Sequence, residues 1–111
     1  MALAPQVIAQ HTPAAGGGFE VAYTVPGATA VTIATIILHN DGSSGATDTA
    51  QIRVAVAGAA DDVSQQIWNV NVPDEGSIII TTGITLATTD VVRVASTNGD
   101  INFHFYGIVE T

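Results

Sequence analysis

The sequence has no cysteine, which excludes disulfides, thiolate nucleophiles and cysteine-ligated zinc. Basic residues are almost as scarce: Arg53 and Arg93 stand against ten carboxylates, and the formal net charge of the 111 residues is -8. Nucleic-acid phosphates are gripped by clustered Lys and Arg, so a nucleic-acid partner is not expected. The longest runs of large aliphatic residues are Ile36 to Leu38 and Ile78 to Ile80. Both fall far short of the ~20 residues of a membrane-spanning helix, and no membrane partner is expected. The opening Met1-Ala2-Leu3-Ala4-Pro5 lacks a positively charged leader followed by a long apolar stretch. The expectation is therefore a protein made and used without export. Charged residues make up only 11% of the chain, against roughly 25% in ordinary globular domains. The surface must be finished with small polar residues, or part of it must be covered in the working state.

What the chain does have is β-branched residues: fourteen Thr, thirteen Val and twelve Ile. These side chains are stiff in helices and fit a pleated sheet. The length allows one domain. Apolar alternation recurs between breakers at the spacing of a sandwich or barrel, and predicts a single antiparallel β-sandwich, jelly-roll-like, of seven or eight strands. Candidate strands are Gln6 to Gln10, Phe19 to Val25, Thr29 to Asn40, Gln51 to Val56, Ile67 to Val72, Ser77 to Thr82, Val91 to Ala95 and Ile101 to Val109. Thr29 to Asn40 is apolar on both faces and is expected to be central. Ile33, Ile37, Ile52, Val54, Val70, Val92, Val94 and Phe103 are the expected core.

Between the strands, Gly16-Gly17-Gly18 reads as a flexible connector. Residues 1–18 are then either an N-terminal arm or a first strand, and residues 19–111 the sandwich. Asp41 to Asp48 reads as an exposed hairpin loop, and Gly58 to Gln66 as a second connection with room for one helical turn that has Asp61 or Asp62 near its N-terminus. Asn98-Gly99 is the strongest hairpin signal, suggesting a type I′ turn.

Candidates for chemistry are few. His11 sits in the flexible glycine-rich segment His11 to Gly18, His39 at a strand end, and His104 between Phe103 and Phe105, with no shared metal-ligand spacing. The oxygens of Asp41, Ser43 and Asp48 only loosely follow a calcium loop, without its spacing or closing Glu. Asp48 with Arg53 and Asp90 with Arg93 are candidate surface ion pairs. No catalytic, cofactor or metal residues are assigned. Trp68 and Tyr106 are amphipathic aromatics suited to a core or an interface. With Val7, Ile8 and His104 they are the candidate interaction residues.

Tyr23-Thr24-Val25-Pro26, Arg53-Val54-Ala55-Val56, Gly83-Ile84-Thr85-Leu86, Asp90 to Thr97 and Asn102-Phe103 to Gly107 together resemble small structural proteins of tailed bacteriophages. The resemblance covers roughly residues 19 to 108. It implies a single β-rich domain built into the virion, with no enzymatic activity and no ligand residues to carry over. Size and composition favour a head decoration or cement protein. Such proteins commonly sit as trimers on the shell, with an N-terminal arm along neighbouring subunits. The partners so implied are further copies of the chain, three together, and the major capsid protein or other virion proteins. The implied location is the virion, assembled in the host cytoplasm. A tail, collar or baseplate subunit, or a receptor- or glycan-binding tip module reading through the loops Asp41 to Asp48 and Gly58 to Gln66, is the alternative.

Overall fold

The computed structural model describes residues 2–111. Eight strands form: β1 (Leu3–His11), β2 (Glu20–Thr24), β3 (Ala30–Asn40), β4 (Asp48–Ala55), β5 (Gln66–Val72), β6 (Ser77–Leu86), β7 (Val91–Ser96) and β8 (Ile101–Glu110); β6 passes through Gly83, beyond the end expected at Thr82. They form two four-stranded antiparallel sheets, ordered β1-β8-β3-β6 and β2-β7-β4-β5. β1 pairs with β8, β2 with β7, β3 with β6 and β4 with β5. That nesting is a long hairpin rolled up on itself, and the β3·β8 and β4·β7 ladders close the roll. The all-β expectation is met in its jelly-roll form. The helical features of the described residues are single 3₁₀ turns at Val56–Gly58 and Val63–Gln65. Asp62 caps the second turn and Gln65 completes a capping box.

The core lies between the sheets and is built on Ile33, Ile36, Leu38, Ile52, Phe103 and Phe105. Of the residues expected there, Ile33, Ile52, Val92, Val94 and Phe103 are buried, while Val54 and Val70 are half-buried against it. Ile37 is not in the core. β3 carries an extra residue at Ala34 relative to β8, where Ile33 faces Gly107 but Thr35 already faces Tyr106. One inserted residue swaps the faces of everything after it. Val31 and Ile33 point inward before the bulge, Ile36 and Leu38 after it, and Ile37 turns outward. Ile37→Thr is accordingly expected to cost less than about 1 kcal/mol in a denaturant titration. A loss several times larger would place Ile37 inside.

The connections divide between two ends. The β1–β2, β3–β4, β5–β6 and β7–β8 connections share one end; the β2–β3, β4–β5 and β6–β7 connections share the other. At the first end the glycine connector does not run free: the Gly16 and Gly17 N–H groups donate to the carbonyls of Thr97 and Ser96. The turn after β7 is not type I′ either. Gly99 has a positive φ of 75° but Asn98 does not, because the Asn98 and Asp100 N–H groups are drawn to the buried Asp48 carboxylate.

Candidate functional site

The strands of the β1-β8-β3-β6 sheet contain no Asp, Lys or Arg, and their only Glu is Glu110 at the end of β8. Most of their Val, Ile and Leu residues pack into or against the core, and five point away from it. Leu3, Val7, Ile79 and Ile108 are 61%, 48%, 68% and 38% exposed, and the displaced, half-buried Ile37 lies on the same side. Carboxylates are concentrated instead in the connections: Asp41, Asp74 and Glu75 at one end, Asp61, Asp62 and Asp90 at the other. The outer face of this sheet is therefore nearly uncharged between two acidic ends, its exposed aliphatic residues set among Thr32, Thr35, His39, Thr81, Thr85 and His104. Depletion of charge with retained apolar and aromatic residues is the composition of an interface centre.

Three of the five sequence candidates meet on that face. Val7 on β1 lies opposite Tyr106 on β8, and the His104 and Tyr106 rings stack in parallel with centroids 6.3 Å apart and an interplanar angle of 7°. The Gln10 side-chain amide bonds the His104 Nδ1 at 3.0 Å. Ile8 lies at the β1 bulge and packs against the core. Trp68 sits in the other sheet, opposite Ile52, and also packs against the core. Leu3, Ile79 and Ile108 belong to the face but were not singled out in the sequence. Ile79 was hidden in the run Ile78-Ile79-Ile80, where alternation alone says that the middle residue faces away from its neighbours.

Both cations lie in the β2-β7-β4-β5 sheet, and Arg53 stands directly opposite Arg93. Like charges in that register repel, and each is answered locally. Arg53 lies 3.9 Å over the Phe19 ring and donates to Asp61 at 2.9 Å and to Gln66 at 3.2 Å. Arg93 donates to the Ala59 carbonyl at 2.9 Å. The ion pairs expected from sequence do not form. Asp48 is buried and accepts backbone N–H groups, and Asp90 accepts those of Ala57 and Ala87. The arginines instead clamp the connection between β4 and β5 onto its sheet.

The loops Asp41 to Asp48 and Gly58 to Gln66 flank β4 at opposite ends of the sandwich, so they do not build one recognition site as a tip module would require. Near the first end, His11 contacts Glu20 at 3.0 Å, and the Ala14 N–H with the His11 ring holds the Glu20 carboxyl below the usual carboxylate range. A shallow cavity of about 220 Å³ opens beside His11, lined by Gln10, Thr12, Asn102, Phe103 and His104 as well. It is smaller than the ~300 Å³ at which small-molecule sites begin. Asp41 is occupied by its own loop, accepting from the Ser43 N–H and hydroxyl.

No protein-family model and no curated protein matches this sequence. Among solved structures, a chain of the cowpea mosaic virus top component, the naturally occurring empty particles, aligns with 97% of this chain and 82% of its own. Its identity is 11% and its TM-score 0.47. A chain from the structure of infectious bursal disease virus Gx strain aligns over 97% of this chain at 10% identity and a TM-score of 0.42, and this chain spans 31% of it. A pentameric capsid protein isolated from metagenomic phage sequences aligns over 98% of this chain and 61% of its own, at 18% identity and a TM-score of 0.23. Likenesses this shallow transfer no role to the present chain.

Proposed function

We propose that this chain is a non-enzymatic structural protein of a bacteriophage virion. In this reading it decorates the head as a cement protein, trimeric on the shell, and bridges subunits through the outer face of its β1-β8-β3-β6 sheet. The observation that carries the proposal is that face, with Val7, Ile79 and Ile108 open to solvent and no charged strand residue but Glu110. Monomeric proteins rarely leave such a patch bare. Two further points support the reading: the resemblance of residues 19 to 108 to tailed-phage structural proteins, and the jelly-roll strand order, an architecture used by viral capsid proteins, lectins and cupins. Fold alone does not choose among those three; a face almost without charge that exposes Leu3, Val7, Ile79 and Ile108 suits burial against protein better than it suits a metal.

Attachment through such a face gains roughly 25 cal/mol per Å² of apolar area removed from water, and salt screening barely touches it. The expected result is that particles washed up to about 1 M salt keep the protein, whereas Ile108→Asp, which leaves the core intact, is shed. Release of the native protein by moderate salt would assign attachment to the acidic ends. A chain missing from purified particles would end the virion reading.

A further inference from the structure

A β-sheet edge presents unpaired N–H and C=O groups, and proteins blunt it with proline, charge, bulges or brevity. The sandwich has four edges: β1, β6, β2 and β5. β1 carries Pro5 and a bulge at Ile8. β2 is five residues long, begins with Glu20 and is bulged at Ala22. β5 has seven residues and an extra one, Ile67, against β4. β6 is different. It runs for ten residues, Ser-Ile-Ile-Ile-Thr-Thr-Gly-Ile-Thr-Leu, with no charge and no proline, and its inward–outward alternation is unbroken from end to end. Like the other edges it carries an extra residue against its neighbour, Thr82 and Gly83 standing opposite the single Ala34 of β3, but this does not break its alternation. Ile79, in the middle of its first half, is 68% exposed, more than any other large apolar residue of the strands.

We propose that β6 is an interaction edge and that its occupant is β6 of a second copy, paired antiparallel about a twofold axis. Three features favour a copy of this chain in that orientation. A twofold pairing is self-complementary, since each strand offers the other the same uncharged residues. The register is confined to steps of two, because only those keep Ile78, Ile80 and Ile84 on the inner side in both copies. The chain's charge also selects the direction. The turn Pro73-Asp74-Glu75-Gly76 precedes β6 at the first end of the sandwich, and neither of its carboxylates has a hydrogen-bond or ion-pair partner among the described residues. Parallel pairing would set this turn beside its own copy, whereas antiparallel pairing moves the two turns to opposite ends. The joined sheets would form one eight-stranded sheet with a continuous, nearly uncharged outer face.

The chain's lack of cysteine makes the test clean. A single cysteine is carried in turn through Ser77 to Leu86 in the full chain, with Val7→Cys on β1 as the control, and dilute protein is oxidised. The residue on a twofold axis faces its own copy with Cβ atoms about 5 Å apart. A residue two places away is about 13 Å from its copy, beyond disulfide reach. The expected result is one dominant position of disulfide-linked dimer within β6, several-fold above Val7→Cys. Dimer yield that is uniform along β6, or no greater than at Val7, overturns the proposal. In sedimentation the native chain should show twice the 11.3 kDa protomer mass and folded Thr81→Lys the protomer mass; a native monomer, or an undiminished Thr81→Lys dimer, overturns it equally. Both measurements use free protein, so they succeed or fail independently of attachment to particles.

Discussion

Gly107→Ala is expected to destabilise the domain by about 3 kcal/mol, although the position lies within a strand and gains only one methyl group. A Cβ on Gly107 would overlap the carbonyl oxygen of Thr32 and lie 2.9 Å from its carbonyl carbon and 3.0 Å from the Ile33 Cα. These are backbone atoms of β3, hydrogen-bonded on both sides, so no side-chain rotation relieves the clash. β8 presses this close because the extra residue at Ala34 bends β3 against it, and Ile33 faces Gly107 at that step. Relief by slipping the register would turn Ile36 and Leu38, both fully buried, toward solvent. Gly83→Ala is the matched control: it too lies within a strand, but nothing stands within 4 Å of its added Cβ. Denaturant midpoints should therefore fall sharply for Gly107→Ala and move little for Gly83→Ala. Equal shifts would mean that β8 does not approach β3 so closely.

This contact marks where the sequence stops being legible. The strands themselves were readable, because Gly, Pro, Asn and Asp punctuate the runs and alternation within each run names an inner face. The nested pairing was not, since β1 with β8 and β2 with β7 are ladders between distant segments whose partners no local pattern names. A bulge is equally silent. Val31 to Leu38 is apolar at every position but Thr32 and Thr35, so either phase looks acceptable; strict alternation puts Ile37 inside, whereas the Ala34 insertion turns it out. The difference bears on function, because Ile37 adds to the apolar residues of the nearly uncharged outer face. Val7, His104 and Tyr106 were found for their residue types. Their meeting on one face depends on the β1·β8 register, and the absence of charge from that face emerges only once four separated strands are laid side by side.

Asp48 was the furthest from legible, and its replacement should have the second large effect. In sequence it closes a small polar loop and looks like a solvated or calcium-facing carboxylate; in the fold it is 1% exposed. One oxygen accepts the N–H groups of Thr49 at 2.8 Å and Asn98 at 2.9 Å, and the other accepts that of Asp100 at 3.1 Å. Asp100, itself 2% exposed, accepts from the Ser44 N–H and hydroxyl. Asn40, fully buried, donates to the carbonyls of Ala46 and Val72. The β3–β4 and β7–β8 connections are thus fastened through side chains about fifty residues apart in the chain, which explains why Asn98 does not adopt the hairpin geometry that its neighbour Gly99 suggests. Asp48→Ala would strip the acceptor from three N–H groups, two of them in the other connection. At 1 to 3 kcal/mol for each buried donor left unsatisfied, the loss should be about 3 kcal/mol. Asp48→Asn keeps one oxygen for Thr49 and Asn98 but turns an NH₂ toward the Asp100 N–H, donor against donor, so it should cost about half as much. Hydrogen exchange gives the sharper readout: the Asn98 and Asp100 amides should lose protection in both variants, and more in the alanine. If Asp48→Ala leaves stability and both amides unchanged, this carboxylate does not fasten the end of the roll.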